Sequence, residues 1–317
     1  MRKSSFLVSA LVVALAAVAC VGTQPGPPPP PQPPNVVVFG DSNAWGIGCS
    51  LGDDAGLGTN PDFPCTPQGG VSARNETEGT CSITTNVALL YNHLALPALC
   101  NDWASKWPGV LDETAPKVVI LNTGGWEIVD RWSTFPAGPN CSQTSPPDAA
   151  YNCPEPDLQW GGDQTKSTAA ENAYKAQLNA AIDLFRSKGA KVLVVNSPYY
   201  APQEAQVPGL ALVWYEAYPQ AQPANWSPAN ANVSYRNSKT KIDEFNTTLK
   251  SAVDQRTATD PNVQFFDLWS LVSPNGQYSD VVNGVVAREQ DHVHFSHDAY
   301  QFIIMPALLP VIQQMLS

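Results

Sequence analysis

One serine and one late cluster of histidines have the types and spacing for nucleophilic chemistry. Ser42 lies in NVVVFGDSNAWGIG (35–48), where four apolar residues run straight into Gly40-Asp41-Ser42. Three of the chain's four histidines, His292, His294 and His297, fall within REQDHVHFSHDAY (288–300). A serine hydroxyl becomes a nucleophile when an imidazole takes its proton and a carboxylate orients that imidazole. Asp291 stands three residues before His294, an offset at which both side chains can face the same way in a turn or short helix. His292 has Glu289 at the same offset, so the residues alone leave the pairing open. The stretch also admits a metal site, because Asp291, His292, His294, His297 and Asp298 crowd together. Zinc hydrolases, however, draw on helix-spaced pairs plus a distant ligand, and this chain supplies no second ligand group. Gly-Asp-Ser by itself is a weak signal, since three such residues occur in many turns.

The elements that must position these groups follow an alternating order. NVVVFG (35–40), KVVILNTG (117–124), KVLVVNSP (191–198) and NVQFFDLW (262–269) are strand-length, β-branched or aromatic runs without clean alternation. That is the pattern of strands buried on both faces. Helical patterns lie between them, at about 86–106, 167–188 and 235–255, with a last one at 297–316. In the second, Tyr174, Leu178, Ile182 and Phe185 fall at helical spacing, and Gly189 reads as a C-cap. Strand and helix in alternation predict a central parallel sheet in a three-layer α/β/α sandwich. Ser42 then sits at the C-terminal end of the first strand, where such sheets place their sites. Segments 49–80, 133–165 and 200–234 read as long loops decorating one scaffold.

The N-terminus carries an address. Arg2 and Lys3 precede the apolar run Phe6–Val18, and Ala17-Val18-Ala19 precedes Cys20, so residues 1–19 read as a signal peptide. Cys20 at the predicted cleavage bond resembles a lipoprotein lipidation site, with Ala17 where leucine is usual. Residues 20–34 then form a Cys plus Pro-rich tether, extended over about 40 Å, ahead of a domain at 35–317. The remaining cysteines, Cys49, Cys65, Cys81, Cys100, Cys141 and Cys153, are even in number, as suits disulfides in an oxidising compartment. Their pairing is not readable from sequence; neighbours in order (49–65, 81–100, 141–153) are the working expectation. A formal charge of −11 argues against a nucleic-acid partner.

Gly-Asp-Ser closing an early strand and Asp-x-x-His near the C-terminus resemble the SGNH or GDSL hydrolase superfamily. VVILNTGGWEIVDRW (118–132), GAKVLVVNSPYY (189–200), FFDLWSLVSPNGQYS (265–279) and NGVVAREQDHVHFSHDAY (283–300) extend the likeness over about 35–317. They are most similar to the extracytoplasmic SGNH domains associated with bacterial membrane acyltransferases. The resemblance implies the flavodoxin-like SGNH sandwich, with Ser42 as nucleophile, His294 as base and Asp291 orienting it. It makes His292 a neighbour in the site wall and His297 a helix-start residue. The Ser42 backbone N–H and a family glycine would form the oxyanion hole; Gly79 is the first candidate for that glycine and Gly70 the weaker one. The family's Gly-x-Asn-Asp block is Gly124-Gly125-Trp126-Glu127 here, so its asparagine donor is missing, and Asn122 comes too early to replace it.

Trp126, Glu127, Asp130 and Arg131 admit two readings. One is a substrate-facing wall with Trp126 stacked on a sugar; the other is a buried Arg131–carboxylate pair bracing the loop. Tyr199 and Tyr200 line the cleft or pack beneath it. Taken together, these features predict a secreted or lipid-anchored monomeric serine esterase of the bacterial envelope. It would act on O-acyl, chiefly O-acetyl, groups of glycans through an acyl-enzyme, with no cofactor and no metal. The alternatives are an O-acyltransferase using the same acyl-enzyme and a non-catalytic glycan-binding lipoprotein.

Overall fold

Four of the five strands in the main sheet are the apolar runs of the sequence. A computed structural model describes residues 33–52, 70–79, 81–85, 87–91, 94–97, 100–133, 156–161, 163–201, 238–289 and 291–317. All lie in one unit, Pro33–Ser317. The expectations for the signal segment, for Cys20, and for Cys65, Cys141 and Cys153 fall outside the described residues.

The strands are β1 (Val36–Gly40), β2 (Ala73–Thr77), β3 (Ala88–Tyr91), β4 (Leu94–Pro97), β5 (Val118–Asn122), β6 (Arg131–Trp132), β7 (Lys191–Val195), β8 (Val263–Phe266), β9 (Val281–Val282) and β10 (Val285–Val286). The main sheet runs β2-β1-β5-β7-β8 and is parallel throughout. Both of its faces are apolar. Val37, Phe39, Val119, Leu121, Val192 and Val194 enter one core. Val36, Val38, Val118, Ile120, Leu193 and Val195 enter the other. Burial on both sides explains why the strands read as unbroken apolar runs.

Helices α1 (Ser42–Ser50), α2 (Trp103–Thr114), α3 (Gln164–Ser187), α4 (Lys239–Thr257) and α5 (Leu268–Val272) follow in chain order. On the first face Phe39 meets Trp107 and Phe185 with ring centroids 4.4 and 5.4 Å away. Such aromatic pairs add about 0.5–1.5 kcal/mol each beyond simple burial. A C-terminal helix closes the second face; it runs His297–Ala299, a π turn at Tyr300–Ile304, then Met305–Leu316. It is long and apolar enough to cross a membrane by length and composition. Here Leu308, Ile312 and Met315 lay it on the sheet.

Two expectations are corrected. The helix expected at about 86–106 is instead strands β3 and β4, with α2 beginning only at Trp103. VALLYNHLALPALC is apolar at nearly every step, so its period does not separate strand from helix. These strands join β6 in a small antiparallel sheet, β4-β3-β6. The stretch 49–80, expected to be loop, contains the outer strand β2. Its sequence, Ala-Arg-Asn-Glu-Thr, is polar because an edge strand has one neighbour and a wet side. Of the expected disulfides, Cys81–Cys100 is present and Cys49 is also disulfide-bonded. Cys81–Cys100 ties the segment after β2 to the start of α2 across 19 residues, a loop whose closure stabilises by about 3 kcal/mol.

Candidate active site

The sheet order marks the C-terminal end of β1 as the place for a site. Numbered by appearance in the sheet, the strands run 2-1-3-4-5, and the winding reverses where β1 lies between β2 and β5. Parallel sheets bind ligands at the C-terminal edge of such a switch point. Gly40-Asp41-Ser42 is the chain that leaves β1 there.

Backbone geometry dictates why a glycine precedes the Asp-Ser pair. Gly40 has φ +144°, and a Cβ on it would lie 1.8 Å from the Asn122 carbonyl oxygen. Only a residue without a side chain lets the ends of β1 and β5 approach this closely. Asp41 then caps α1: its Oδ1 accepts from the Asn43 N–H at 2.9 Å, and its Oδ2 accepts from the Gly125 N–H at 3.1 Å. One carboxylate thus fixes both the start of the serine helix and the loop after β5. Burial pushes its pKa up to about 6, against opposing bonds from Asn43 and Gly125 and the nearby His294. Ser42 follows in the first turn of α1, where backbone N–H groups point outward and the helix dipole favours negative charge. Gly46 in the next turn lets the Tyr300 ring pack onto the helix; a Cβ there would lie 2.1 Å from it. The Tyr300 hydroxyl donates to the Asn43 carbonyl at 2.8 Å, so the C-terminal helix also holds the serine turn.

His294 and Asp291 arrive from a loop 252 residues away in sequence. His294 Nε2 lies 2.7 Å from Ser42 Oγ, and its Nδ1 bonds Asp291 Oδ2. Asp291 Oδ1 accepts from the backbone N–H groups of Val293 (2.9 Å) and His294 (3.0 Å). Burial would raise the Asp291 pKa, but the His294 bond and charge and these two N–H groups hold it well below the usual carboxylate range. The carboxylate therefore stays ionised and faces an imidazole that faces a hydroxyl. That arrangement can move a proton from Ser42 and stabilise the resulting imidazolium.

The other histidines are placed elsewhere. His292 has φ +56°, unusual for a residue with a side chain. Its Nδ1 bonds Asp280 at 2.7 Å, not Glu289, whose carbonyl accepts the His292 backbone N–H instead. Tyr278 also donates to Asp280 at 2.5 Å. Burial raises the Asp280 pKa, but the Tyr278 and His292 bonds bring it below its ordinary value. His297 begins the C-terminal helix, capped by Ser296. Among the described residues, no group of three or more His, Cys, Asp or Glu side chains is arranged to hold a metal ion.

Sequence reading pointed to several wall and oxyanion residues, and their positions differ. Gly79 lies just past β2, beside the serine turn, since the Glu78 N–H donates to the Gly40 carbonyl at 3.0 Å. Its own carbonyl accepts from Trp126 Nε1 at 3.0 Å. Gly70 lies before β2, at the opposite end of that strand. Asn122 spends its side-chain amide on the Val195 and Asn196 carbonyls, at 3.2 and 3.3 Å. The Gly125 N–H is taken by Asp41, so neither replaces the missing asparagine.

Glu127 does not face a substrate. It is 0% exposed, and its carboxylate accepts from the Ile83 N–H at 2.5 Å, Thr84 Oγ1 at 2.8 Å and Arg131 Nη1 at 3.1 Å. The bracing alternative describes it. Trp126 is largely buried, with its ring nitrogen on Gly79. Tyr199 is buried in body while its hydroxyl bonds Asp243 and, at 2.7 Å, Lys239. The Tyr200 hydroxyl accepts from Ser197 Oγ at 3.0 Å, beneath Gly125.

One residue of the site escaped sequence reading. Arg288 is buried, donates to the carbonyls of Val293 (2.7 Å) and Tyr199 (2.8 Å), and lies 3.9 Å over the Phe295 ring. It stitches the histidine loop to the turn after β7. A lone arginine three residues before Asp291 was the available signal, but its partners are backbone carbonyls and leave no motif.

A GDSL-like lipase/acylhydrolase family model matches residues 148–307, just over half of the chain. The chain belongs to that family. The matched span holds Asp291 and His294 and begins after Ser42. No curated protein matches the chain. Among solved structures, this GDSL protein is similar to a GDSL-like lipase from Bacteroides thetaiotaomicron, at 11% identity and TM-score 0.43, covering 88% of this chain and 87% of that one. It is also similar to the periplasmic domain of a lipopolysaccharide acetyltransferase from Salmonella ser. Paratyphi A (12%, TM-score 0.44, 89% and 85% covered). A third likeness is to a catalytic mutant of an acetylxylan esterase from Geobacillus stearothermophilus (10%, TM-score 0.41, 90% and 95% covered). None of these likenesses says what this GDSL acylhydrolase acts on.

Proposed function

We propose that this GDSL protein is a serine esterase that removes O-acyl groups, chiefly O-acetyl, from glycans outside the cytoplasm. The observation that carries the reading is His294, bonded on one side to Ser42 Oγ at 2.7 Å and on the other to the ionised Asp291. Ser42 Oγ attacks the ester carbonyl while its proton passes to His294 Nε2. The carbonyl π pair moves onto oxygen, where the Ser42 and Gly79 backbone N–H groups are the proposed donors. His294 returns the proton to the departing sugar oxygen as the carbon–oxygen bond breaks, leaving acyl-Ser42. Water, or a second sugar hydroxyl in an acyltransferase variant of the reaction, then attacks the acyl carbon as its proton passes to His294. The carbon–Ser42 Oγ bond breaks and His294 returns that proton to Ser42 Oγ, freeing the carboxylic acid or the acylated sugar. Trp126, beside Gly79, is the proposed flank of the acyl site.

Export is part of the proposal. It is supported by Arg2 and Lys3 before the apolar run 6–18, by the small residues before Cys20, and by the Cys81–Cys100 disulfide, which suits an oxidising compartment. Cys20 is the proposed lipid anchor.

Intact mass after exposure to a serine-reactive phosphonate, with p-nitrophenyl acetate turnover alongside, tests the chemistry. A single adduct on the Ser42 peptide is expected, absent in Ser42→Ala, with turnover falling by about 10³-fold or more. Turnover retained in Ser42→Ala, or an adduct on another residue, would sink the assignment.

A further inference from the structure

We infer that the C-terminal edge of β7 and β8 carries a second binding site, for a neutral saccharide unit. A cavity of about 430 Å³ opens there, within the size range of small-molecule sites. Asn196, directly after β7, and Asp267, directly after β8, form its floor, joined by an Asn196 Nδ2–Asp267 bond of 2.8 Å. One wall is the face of α4 that presents Lys239, Asp243, Thr247 and Lys250 at helical spacing. Trp269 and Phe265 supply aromatic surface. The turn at Asn275 and Gly276, both at positive φ, closes the far side.

The lining selects the ligand class. Lys239 is paired with Asp243 at 2.6 Å, and Lys250 with Asp254 at 2.5 Å. With the cations already matched, a phosphate or carboxylate finds no uncompensated charge. An apolar ligand would strip water from ammonium and carboxylate groups without replacing it, which is costly. A sugar ring satisfies both kinds of surface. Its hydroxyls donate to Asp243 and Asp267 and accept from Lys239 and Gln277, while its C–H face packs on Trp269.

Position ties this cavity to the serine. Ser42 leaves the C-terminal edge of β1, and β7 is two strands away in the same parallel sheet, about 10 Å at ordinary strand spacing. Tyr199 spans the interval: its hydroxyl meets Lys239 and Asp243 at the cavity, and its carbonyl holds Arg288 of the histidine loop. A glycan with an acylated unit at Ser42 can place a neighbouring unit on Trp269. This inference rests on the glycan reading above and adds where the chain, as distinct from the ester, is held.

Calorimetric titration with xylotetraose, cellotetraose, mannotetraose and N-acetylated chitotetraose, all free of O-acyl groups, tests it without using the ester. At least one should bind the wild-type protein, and Trp269→Ala should weaken that binding by about tenfold or more. Thr247→Trp, on an exposed position of α4, fills the cavity without removing a core contact and should weaken it equally. Both variants should keep p-nitrophenyl acetate turnover within about twofold of wild type. No binding of any tetrasaccharide to wild type, binding indifferent to Thr247→Trp, or a parallel loss of acetate-ester turnover would overturn the site. Saccharide binding beside an unreactive Ser42 would keep the site and remove the esterase; a Ser42 adduct without saccharide binding would do the reverse.

Discussion

Two guanidinium groups are buried, one at the loop after β5 and one at the histidine loop, and the fold holds them in opposite ways. Arg131, behind the loop after β5, meets a carboxylate and a ring of acceptors: Glu127, Ser82 Oγ, and the carbonyls of Trp126, Glu127 and Val129. Arg288, behind the histidine loop, meets two carbonyls and three aromatic rings. Its Nε finds no hydrogen-bond partner among the described residues. Burial pulls both pKa values down from the ordinary arginine value, yet both remain cations. Arg131 belongs to a closed, neutral knot whose work is to hold the β5 loop. Among the described residues no carboxylate forms an ion pair with Arg288, and it links two loops that must stay in register for His294 to reach Ser42. The difference separates a brace for the fold from a positioner for the reaction.

The largest effect should come from within the histidine loop and leave the brace intact. In Asp291→Asn the imidazole loses its ionised partner and is offered the wrong hydrogen-bond pattern. Turnover of p-nitrophenyl acetate per folded molecule should fall about 10⁴-fold, near 5.5 kcal/mol. A loss below about tenfold would mean that another group orients His294.

Glu127→Ala should show the converse. Removing one partner of a buried pair strands the other charge and costs about 3–5 kcal/mol. The Ile83 N–H and Thr84 hydroxyl lose their acceptor as well. Urea unfolding should show the loss, while turnover per folded molecule stays within about threefold of wild type. A rate collapse in a fully folded variant would make Glu127 part of the chemistry after all.

Arg288→Met comes next, and its signature is mixed. It leaves the Val293 and Tyr199 carbonyls without their donor, at about 1–3 kcal/mol in stability. Displacement of the loop by an ångström costs about 10²-fold in rate. Because the effect runs through His294 placement, kcat should fall with KM nearly unchanged, and Arg288→Lys should recover only part of it. Equal losses from Arg131→Met and Arg288→Met in both rate and stability would erase the distinction drawn between them.

The contrast also marks what sequence could reveal. β1, β5, β7 and β8 were legible because burial on both faces leaves nothing but apolar residues to read. Ser42 was legible because it stands where the first of those runs ends. β2 was not, since Arg74, Asn75 and Glu76 carry no apolar period on a sheet edge. β3 and β4 read as helix because an evenly apolar run has no period at all. In the site, Asp291 is three residues from His294, whereas His292 takes Asp280, 12 residues earlier, through a left-handed backbone. Arg288 is the extreme case, because Tyr199 lies 89 residues away and offers a carbonyl. Any residue offers that, so no pattern of types could announce the contact.

The last predicted effect is read as a slope in pH, and it contrasts the two carboxylates near His294. Asp41 and Asp291 are both acids in the same site, yet their proton affinities move apart. Burial raises Asp41 from 3.8 to about 6, so the folded protein holds that proton more tightly than the unfolded chain. Its contribution to stability is present below about pH 3.8 and lost as pH rises through about 6, a change near 3 kcal/mol at 1.4 kcal/mol per pH unit. Asp291 is depressed below 3.8, so its contribution is present above that value and lost as pH falls. Unfolding free energies of wild type, Asp41→Asn and Asp291→Asn from pH 3 to pH 7 separate the two. The wild-type advantage over Asp41→Asn should shrink with rising pH between about 4 and 6, and its advantage over Asp291→Asn should grow upward from pH 3. Comparing slopes, not absolute stabilities, removes the constant penalty of seating an amide where Gly125 and Asn43 both donate. A flat Asp41 difference would mean that those two N–H groups fully offset burial, leaving the serine turn indifferent to pH.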